Sequence, residues 1–313
     1  MSNLPVIFMA FANEQEQASA HLRGLAAEQR GLANLLDRAK DKGVCEYVVK
    51  YNATVQDIFD TFQKESLRGR ICIFHYAGHA NSFQLLLESA EGGNQAAHAQ
   101  GLVEFLSRQE GLKLAFLNAC ATQGQVQALL SRGVPAIATD RSIADRVATE
   151  FALRLYQGLA AELTLRQAFD DAASYVVTFH GDAPTALRDL SWEGSGEEPA
   201  SGQPWHLLLP SGQEALGAWS LKAAREALAT EAKQDFRAEV HALLAKGRLE
   251  QALKTAHEGL KGTEWEQDAL GLLGQFKQLA RQERNGLLSF ENAQLGQNRI
   301  TAALIGLLQD TVE

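Results

Sequence analysis

Residues 113–124, KLAFLNACATQG, admit few folds. Leu114, Ala115, Phe116 and Leu117 are apolar on both alternating positions of a strand, so both of its faces must be covered. Such a strand belongs at the centre of a parallel sheet with helices on either side. Asn118 and Ala119 end the run, Cys120 follows, and small and polar residues lead into a helical stretch from Gln125 to Ser131. A side chain at the C-terminal end of such a strand stands on the rim where open α/β sheets take their ligands. The next helix adds backbone N–H groups that lower a cysteine's pKa and can receive an oxyanion. Cys120 is therefore either a buried inert thiol or a nucleophile.

Residues 70–80, RICIFHYAGHA, repeat the design: a strand from Ile71 to His75, a turn at Gly78, then His79. A histidine and a cysteine ending neighbouring parallel strands can meet, and that pairing activates a thiol for attack. The two are about 40 positions apart, against about 50 in caspase-type enzymes. His75 and His79 have a spacing that suits a metal only on a helix, and no third ligand accompanies them, so neither metal nor cofactor is expected.

HYAGHA followed by FLNACATQG resembles the CHAT domain, the bacterial caspase-like peptidase domain of the caspase–separase–gingipain clan. The resemblance implies that His79 is the general base or imidazolium partner and Cys120 the nucleophile; backbone N–H groups near Gly78 and Cys120 are expected to receive the oxyanion. Ala80 departs from the glycine that many members carry after the histidine. Asn118 stands where metacaspases have an acidic pocket residue, which marks it as a candidate for substrate contact. Asp145, Phe151, Ala152 and Tyr156 resemble the end of the domain, as does LTLRQAFDDA at 163–172.

The rest of the first 220 residues alternates strand and helix patterns. Strands are expected at 4–11, 44–50, 133–140 and 205–210, with a small hairpin strand at 83–88 outside the main sheet. SAEGGNQAAH, 89–98, reads as a loop before a helix over 99–108, and His98 as a surface histidine. Asn13 reads as the start of a helix that Gly43 stops. Thr54 reads as an N-cap for a helix with Val55, Ile58, Phe59 and Phe62 on one face. Cys45 and Cys72 lie within strand patterns and read as structural. Asp140 ends the 133–140 strand. It is either the cap of the helix that follows or the anion of a pocket for a basic residue before the scissile bond, the preference the resemblance favours. Arg141 and Arg146 leave an acidic preference open. Residues 189–204, DLSWEGSGEEPASGQP, read as a mobile loop or a disordered segment, and the sequence does not say whether the chain processes itself there.

From 221 the pattern is helical: a connector over 221–232, then a domain over 233–313. AKGRLEQAL, QFKQLARQERNGLLSFE and NRITAALIGLLQ resemble effector-associated domains, the death-fold-like bundles of bacterial conflict systems. Ten basic and twelve acidic residues over 231–313 suit a protein-binding surface, so a partner carrying a like adaptor domain is expected. A stabilising extension that binds nothing is the alternative.

The expected fold is thus α/β: a caspase-like three-layer sandwich with a mostly parallel sheet over 1–220, followed by an all-α bundle. Its expected activity is that of a cysteine endopeptidase acting on proteins in a conflict or antiphage pathway. A catalytically dead scaffold is the competing reading. The net charge of −9 argues against nucleic acid, and the chain holds no phosphate-binding loop. No apolar run approaches the ~20 residues of a membrane span. Three cysteines with no paired spacing suit a reducing cytoplasm.

Overall fold

A computed structural model describes residues 3–13, 22–80, 84–89, 94–120, 122–180 and 203–311. The chain divides into two units, Met1–Leu228 and Ala229–Glu313.

The first unit is built on a six-stranded sheet of order β2-β1-β3-β6-β7-β8. Its strands are β1 (Val6–Phe11), β2 (Glu46–Lys50), β3 (Ile71–Ala77), β6 (Leu114–Asn118), β7 (Ala136–Thr139) and β8 (Trp205–Leu208). All pairs are parallel except β7 with β8. Alternation along the strands feeds two cores. Ile7, Met9, Phe11, Leu114 and Phe116 face α1 (Leu25–Asp41), α5 (Asp145–Ala160) and α6 (Leu165–His180). Phe8, Ala10, Ala115 and Leu117 face α2 (Val55–Gln63), α3 (Ala99–Leu106) and α4 (Gln127–Ser131). The result is a three-layer α/β sandwich.

One irregularity interrupts the ladder. Val6 pairs with Ile71, but Ile7 pairs with Ile73, so β3 carries one residue more than β1 at that point. Cys72 is the surplus residue, and its Sγ–H donates to the Val6 carbonyl at 3.5 Å. Both Cys72 and Ile73 consequently join the same core.

Thr54 caps α2 through a closed box: its hydroxyl accepts from the Asp57 N–H at 3.0 Å, and Asp57 accepts from the Thr54 N–H at 3.1 Å. The helix expected to open at Asn13 would run through residues outside those described; among the described ones, α1 has Gly24 at its N-cap, and the Asn13 side chain accepts from the Leu22 N–H at 2.8 Å and donates to the Leu22 carbonyl at 3.1 Å. The stretch read as a loop at 89–98 contains a strand, β5 (Asn94–His98), which pairs antiparallel with β4 (Gln84–Glu88). The stretch read as a mobile loop at 189–204 falls almost wholly outside the described residues.

The helix α7 (Leu221–Ala245) is continuous through the stretch read as a connector. In the second unit, α8 (Leu249–Gly259), α9 (Glu266–Arg284) and α10 (Phe290–Asp310) bury Val240, Leu253, Leu273, Ile300 and Leu304 together. Gly247 turns the chain at φ +69°. Ser289 caps α10, its hydroxyl accepting from the Asn292 N–H at 3.3 Å.

Candidate active site

The register of β3 and β6 brings the two candidate residues to one level. Ala77 pairs with Asn118 across the parallel ladder, and His79 and Cys120 each follow two residues later. They therefore end neighbouring strands at the same edge of the sheet. Gly78 is needed between them and the strand, because a Cβ there would meet the Ala12 carbonyl oxygen at 2.5 Å and the Tyr76 hydroxyl at 2.7 Å. The Tyr76 hydroxyl reaches the carbonyls of His79 (2.7 Å) and Leu86 (2.6 Å), and its one proton serves one of them at a time. The Leu86 N–H also donates to the His79 carbonyl at 3.0 Å, so β4 fastens the histidine's backbone. His79 is 1% exposed and Cys120 is fully buried.

The backbone kinks sharply into Cys120. The Ala119 N–H donates to the Leu117 carbonyl at 3.0 Å. Two buried threonines then hold this turn against β7. The Thr139 hydroxyl donates to the Ala119 carbonyl, and the Thr122 hydroxyl donates to the Leu117 carbonyl at 3.1 Å while accepting from the Thr139 N–H at 3.1 Å. The Ile143 N–H reaches the Cys120 sulfur at 3.4 Å, placing a backbone donor from the loop before α5 on the thiol. The other two cysteines have a different setting. Burial, and secondarily the neighbouring Glu46 charge, pushes the Cys45 thiol up to about 12. Burial pushes Cys72 higher still. Both are poor thiolate formers.

Asn118 points inward and is fully buried. Its amide donates to Glu28 Oε1 at 2.9 Å and to the Ala148 carbonyl at 3.3 Å, and its Oδ1 accepts from Trp205 Nε1 at 3.2 Å. Glu28 also lies 3.4 Å from His75 Nε2, and both are wholly buried. His75 stacks on Phe116 and Tyr156 with centroids at 4.6 and 5.5 Å. The amide of Asn118 thus ties α1, α5 and β8 to β6.

Asp140 does not cap a helix. The N-cap of α5 is Ala144, without a side-chain bond. The carboxylate of Asp140 instead lies 3.0 Å from His206 Nε2 and 3.5 Å from Arg141 Nε, with 31% of its side chain exposed. Its backbone N–H donates to the Pro204 carbonyl at 3.1 Å, joining the end of β7 to the start of β8. Arg146 pairs along its own helix with Glu150 at 2.9 Å. Asp145 accepts from the Gly24 N–H at 2.5 Å and so fixes the entry to α1.

Glu28, Tyr76, Thr122, Thr139 and Trp205 support these positions. Glu28 and Trp205 reach Asn118 from 90 and 87 positions away and carry no local motif, whereas Tyr76 and Thr122 lie inside HYAGHA and FLNACATQG. Thr139, at the end of the next strand, joins Thr122 in flanking the cysteine elbow.

The CHAT domain family matches residues 2–221, and the effector-associated domain 11 family matches residues 235–312. No curated protein matches the chain. Among solved structures, the Arg-specific cysteine proteinase gingipain R is similar at 15% identity and a TM-score of 0.40, over 56% of this chain and 43% of that one. The chain thus spans less than half the length of that proteinase. The Drosophila initiator caspase Dronc is similar at 11% identity and a TM-score of 0.42, over 60% of this chain and 76% of that one.

Proposed function

The chain belongs to the CHAT domain family of caspase-like cysteine peptidases, and from that premise we propose that it is a regulated cysteine endopeptidase acting through a His79–Cys120 dyad. The observation that carries this reading is the shared level of the two residues, each two positions beyond the paired Ala77 and Asn118. His79 takes the Cys120 proton, and the thiolate forms a C–S bond to the scissile carbonyl carbon. The carbonyl π pair moves to oxygen, where the Cys120 N–H and the backbone near Gly78 receive it. Collapse breaks the C–N bond, and the imidazolium gives its proton to the leaving amine. Water, deprotonated by His79, then hydrolyses the thioester and restores the thiol.

Burial supports regulation. Cys120 is fully covered and its sulfur meets the Ile143 N–H, so a substrate carbonyl reaches it only when the rim opens. The effector-associated domain supports recruitment by a partner bearing a like adaptor, in a bacterial conflict or antiphage pathway located in the cytoplasm. Asp140, about a third exposed and three residues before Ile143, is the pocket anion of this proposal, so cleavage follows a basic residue. The burial of the dyad also favours a second reading, a scaffold that cleaves nothing.

The deciding experiment profiles the full chain on a fluorogenic peptide library, alongside Cys120→Ala and His79→Ala with circular dichroism as the folding control. Cleavage lost in both folded variants supports the dyad. Cleavage retained by Cys120→Ala, or a wild type that neither cleaves nor takes up a thiol-reactive probe at Cys120, refutes it.

A further inference from the structure

We propose that Thr139 is a positioning residue that aims the oxyanion-binding N–H of Cys120. The inference rests on the His79–Cys120 reading and extends it to a residue on a third strand. Its basis is the rigidity of one peptide unit. The Ala119 carbonyl and the Cys120 N–H belong to the same trans peptide plane and point in opposite directions. The Thr139 hydroxyl donates to that carbonyl from β7. Sheet order puts β6 between β7 and β3, so pinning the carbonyl toward β7 turns the Cys120 N–H toward β3, whose end carries His79.

The clamp is closed on both sides of the cysteine. Thr139 and Thr122 exchange contacts: the Thr139 N–H donates to Thr122 Oγ1 at 3.1 Å, and the Thr122 N–H faces Thr139 Oγ1 at 3.5 Å. Each hydroxyl has one proton, and each spends it on a carbonyl of the elbow: Thr122 on Leu117, Thr139 on Ala119. The hydroxyl–hydroxyl contact at 3.5 Å is therefore not a third bond. Both threonines are fully buried, so no water replaces either bond. The donor is oriented before substrate arrives, which is the condition under which an oxyanion site lowers a barrier. The two threonines differ in what they hold. Thr139 holds the peptide plane that contains the oxyanion donor, whereas Thr122 holds the plane before Asn118, which does not.

The test compares Thr139→Val, Thr139→Ser and Thr122→Val in the full chain. The readouts are hydrolysis of an arginyl-aminomethylcoumarin peptide, alkylation of Cys120 by iodoacetamide under the same conditions, and thermal melting. Alkylation needs the nucleophile and not the oxyanion site. Thr139→Val is expected to lower kcat about 10²-fold with KM and the alkylation rate unchanged. Thr139→Ser restores turnover, and Thr122→Val, which frees a carbonyl outside the oxyanion plane, lowers turnover less than Thr139→Val does. Full turnover in Thr139→Val, or equal losses of turnover and alkylation, overturns the proposal and leaves the dyad standing. Equal losses of turnover in Thr139→Val and Thr122→Val assign both threonines to the fold alone and also overturn it. Cleavage that survives Cys120→Ala overturns the dyad instead.

Discussion

Replacing Asn118 with leucine should destabilise the first unit far more than a change of one polar side chain at constant size suggests. The amide sits in a dry interior and serves three groups: the Glu28 carboxylate at 2.9 Å, the Ala148 carbonyl at 3.3 Å and the Trp205 N–H at 3.2 Å. Leucine offers none of them a partner. Orphaning the buried Trp205 N–H costs about 1–3 kcal/mol, and taking a donor from a buried carboxylate costs about as much or more. The long bond to Ala148 adds little. The expected loss is about 3–5 kcal/mol, a large part of the ~5–15 kcal/mol that holds an ordinary domain together. Urea unfolding followed by circular dichroism gives the loss by linear extrapolation. A cycle with Trp205→Phe sharpens the test. That variant removes the donor that Asn118→Leu would orphan, so the two losses should fall short of additive by about 1 kcal/mol. A loss below about 1 kcal/mol for Asn118→Leu, or an additive cycle, refutes the assignment of this residue to the interior network.

Asp140→Ala should lower cleavage after Arg by about 10²-fold or more while leaving thiol alkylation of Cys120 unchanged, because a guest cation in a partly dry pocket then lacks its counter-charge. Matched peptides with Arg, Lys, Asp or Asn before the cut check this, and cleavage after Asp by the wild type sinks it. The start of α2 should weaken in acid. Burial alone would raise the Asp57 carboxyl, but hydrogen bonds from Lys50 and Thr54 outweigh it and hold the group below its ordinary value. A depressed carboxyl stabilises the fold fully above its unfolded pKa of about 3.9, and that contribution is lost as pH falls through the lower folded value. The protection of the α2 amides, taken relative to the intrinsic exchange rate at each pH, should therefore fall in acid in the wild type, and an equal fall in Asp57→Asn would count against the capping box. Thr54→Ala should cost about 1 kcal/mol by urea unfolding.

The parts of this molecule that the sequence discloses are those set by neighbours along the chain. The doubly apolar run at 114–117 identifies a central strand, and the Thr54 box is written in four consecutive residues. The strand–glycine–histidine and strand–cysteine segments mark the rim because strand ends and turns are local events. What stays hidden depends on partners far away. Asn118 has the residue type of a pocket contact, and only the approach of Glu28, some 90 positions earlier, and Trp205, 87 later, turns it inward. Asp140 has the composition of a cap, but the helix begins five residues on, and the antiparallel strand brings His206 Nε2 to 3.0 Å from its carboxylate. Residues 94–98 lack β-branched side chains and follow two glycines, so their own preference is for a loop; pairing with Gln84–Glu88 overrides it.

The surplus residue in β3 has a consequence for how this fold tolerates change in length. On its N-terminal side, Ile71 is tied to Val6; on its other side, Ile73 to Ala77 are tied to β1 and β6 alike. Removing Cys72 would turn the bulge into a regular ladder and leave every later pair, Ala77 with Asn118 included, where it is. The strand therefore has a joint upstream of its C-terminal end, at which one residue can be lost without carrying His79 out of step with Cys120.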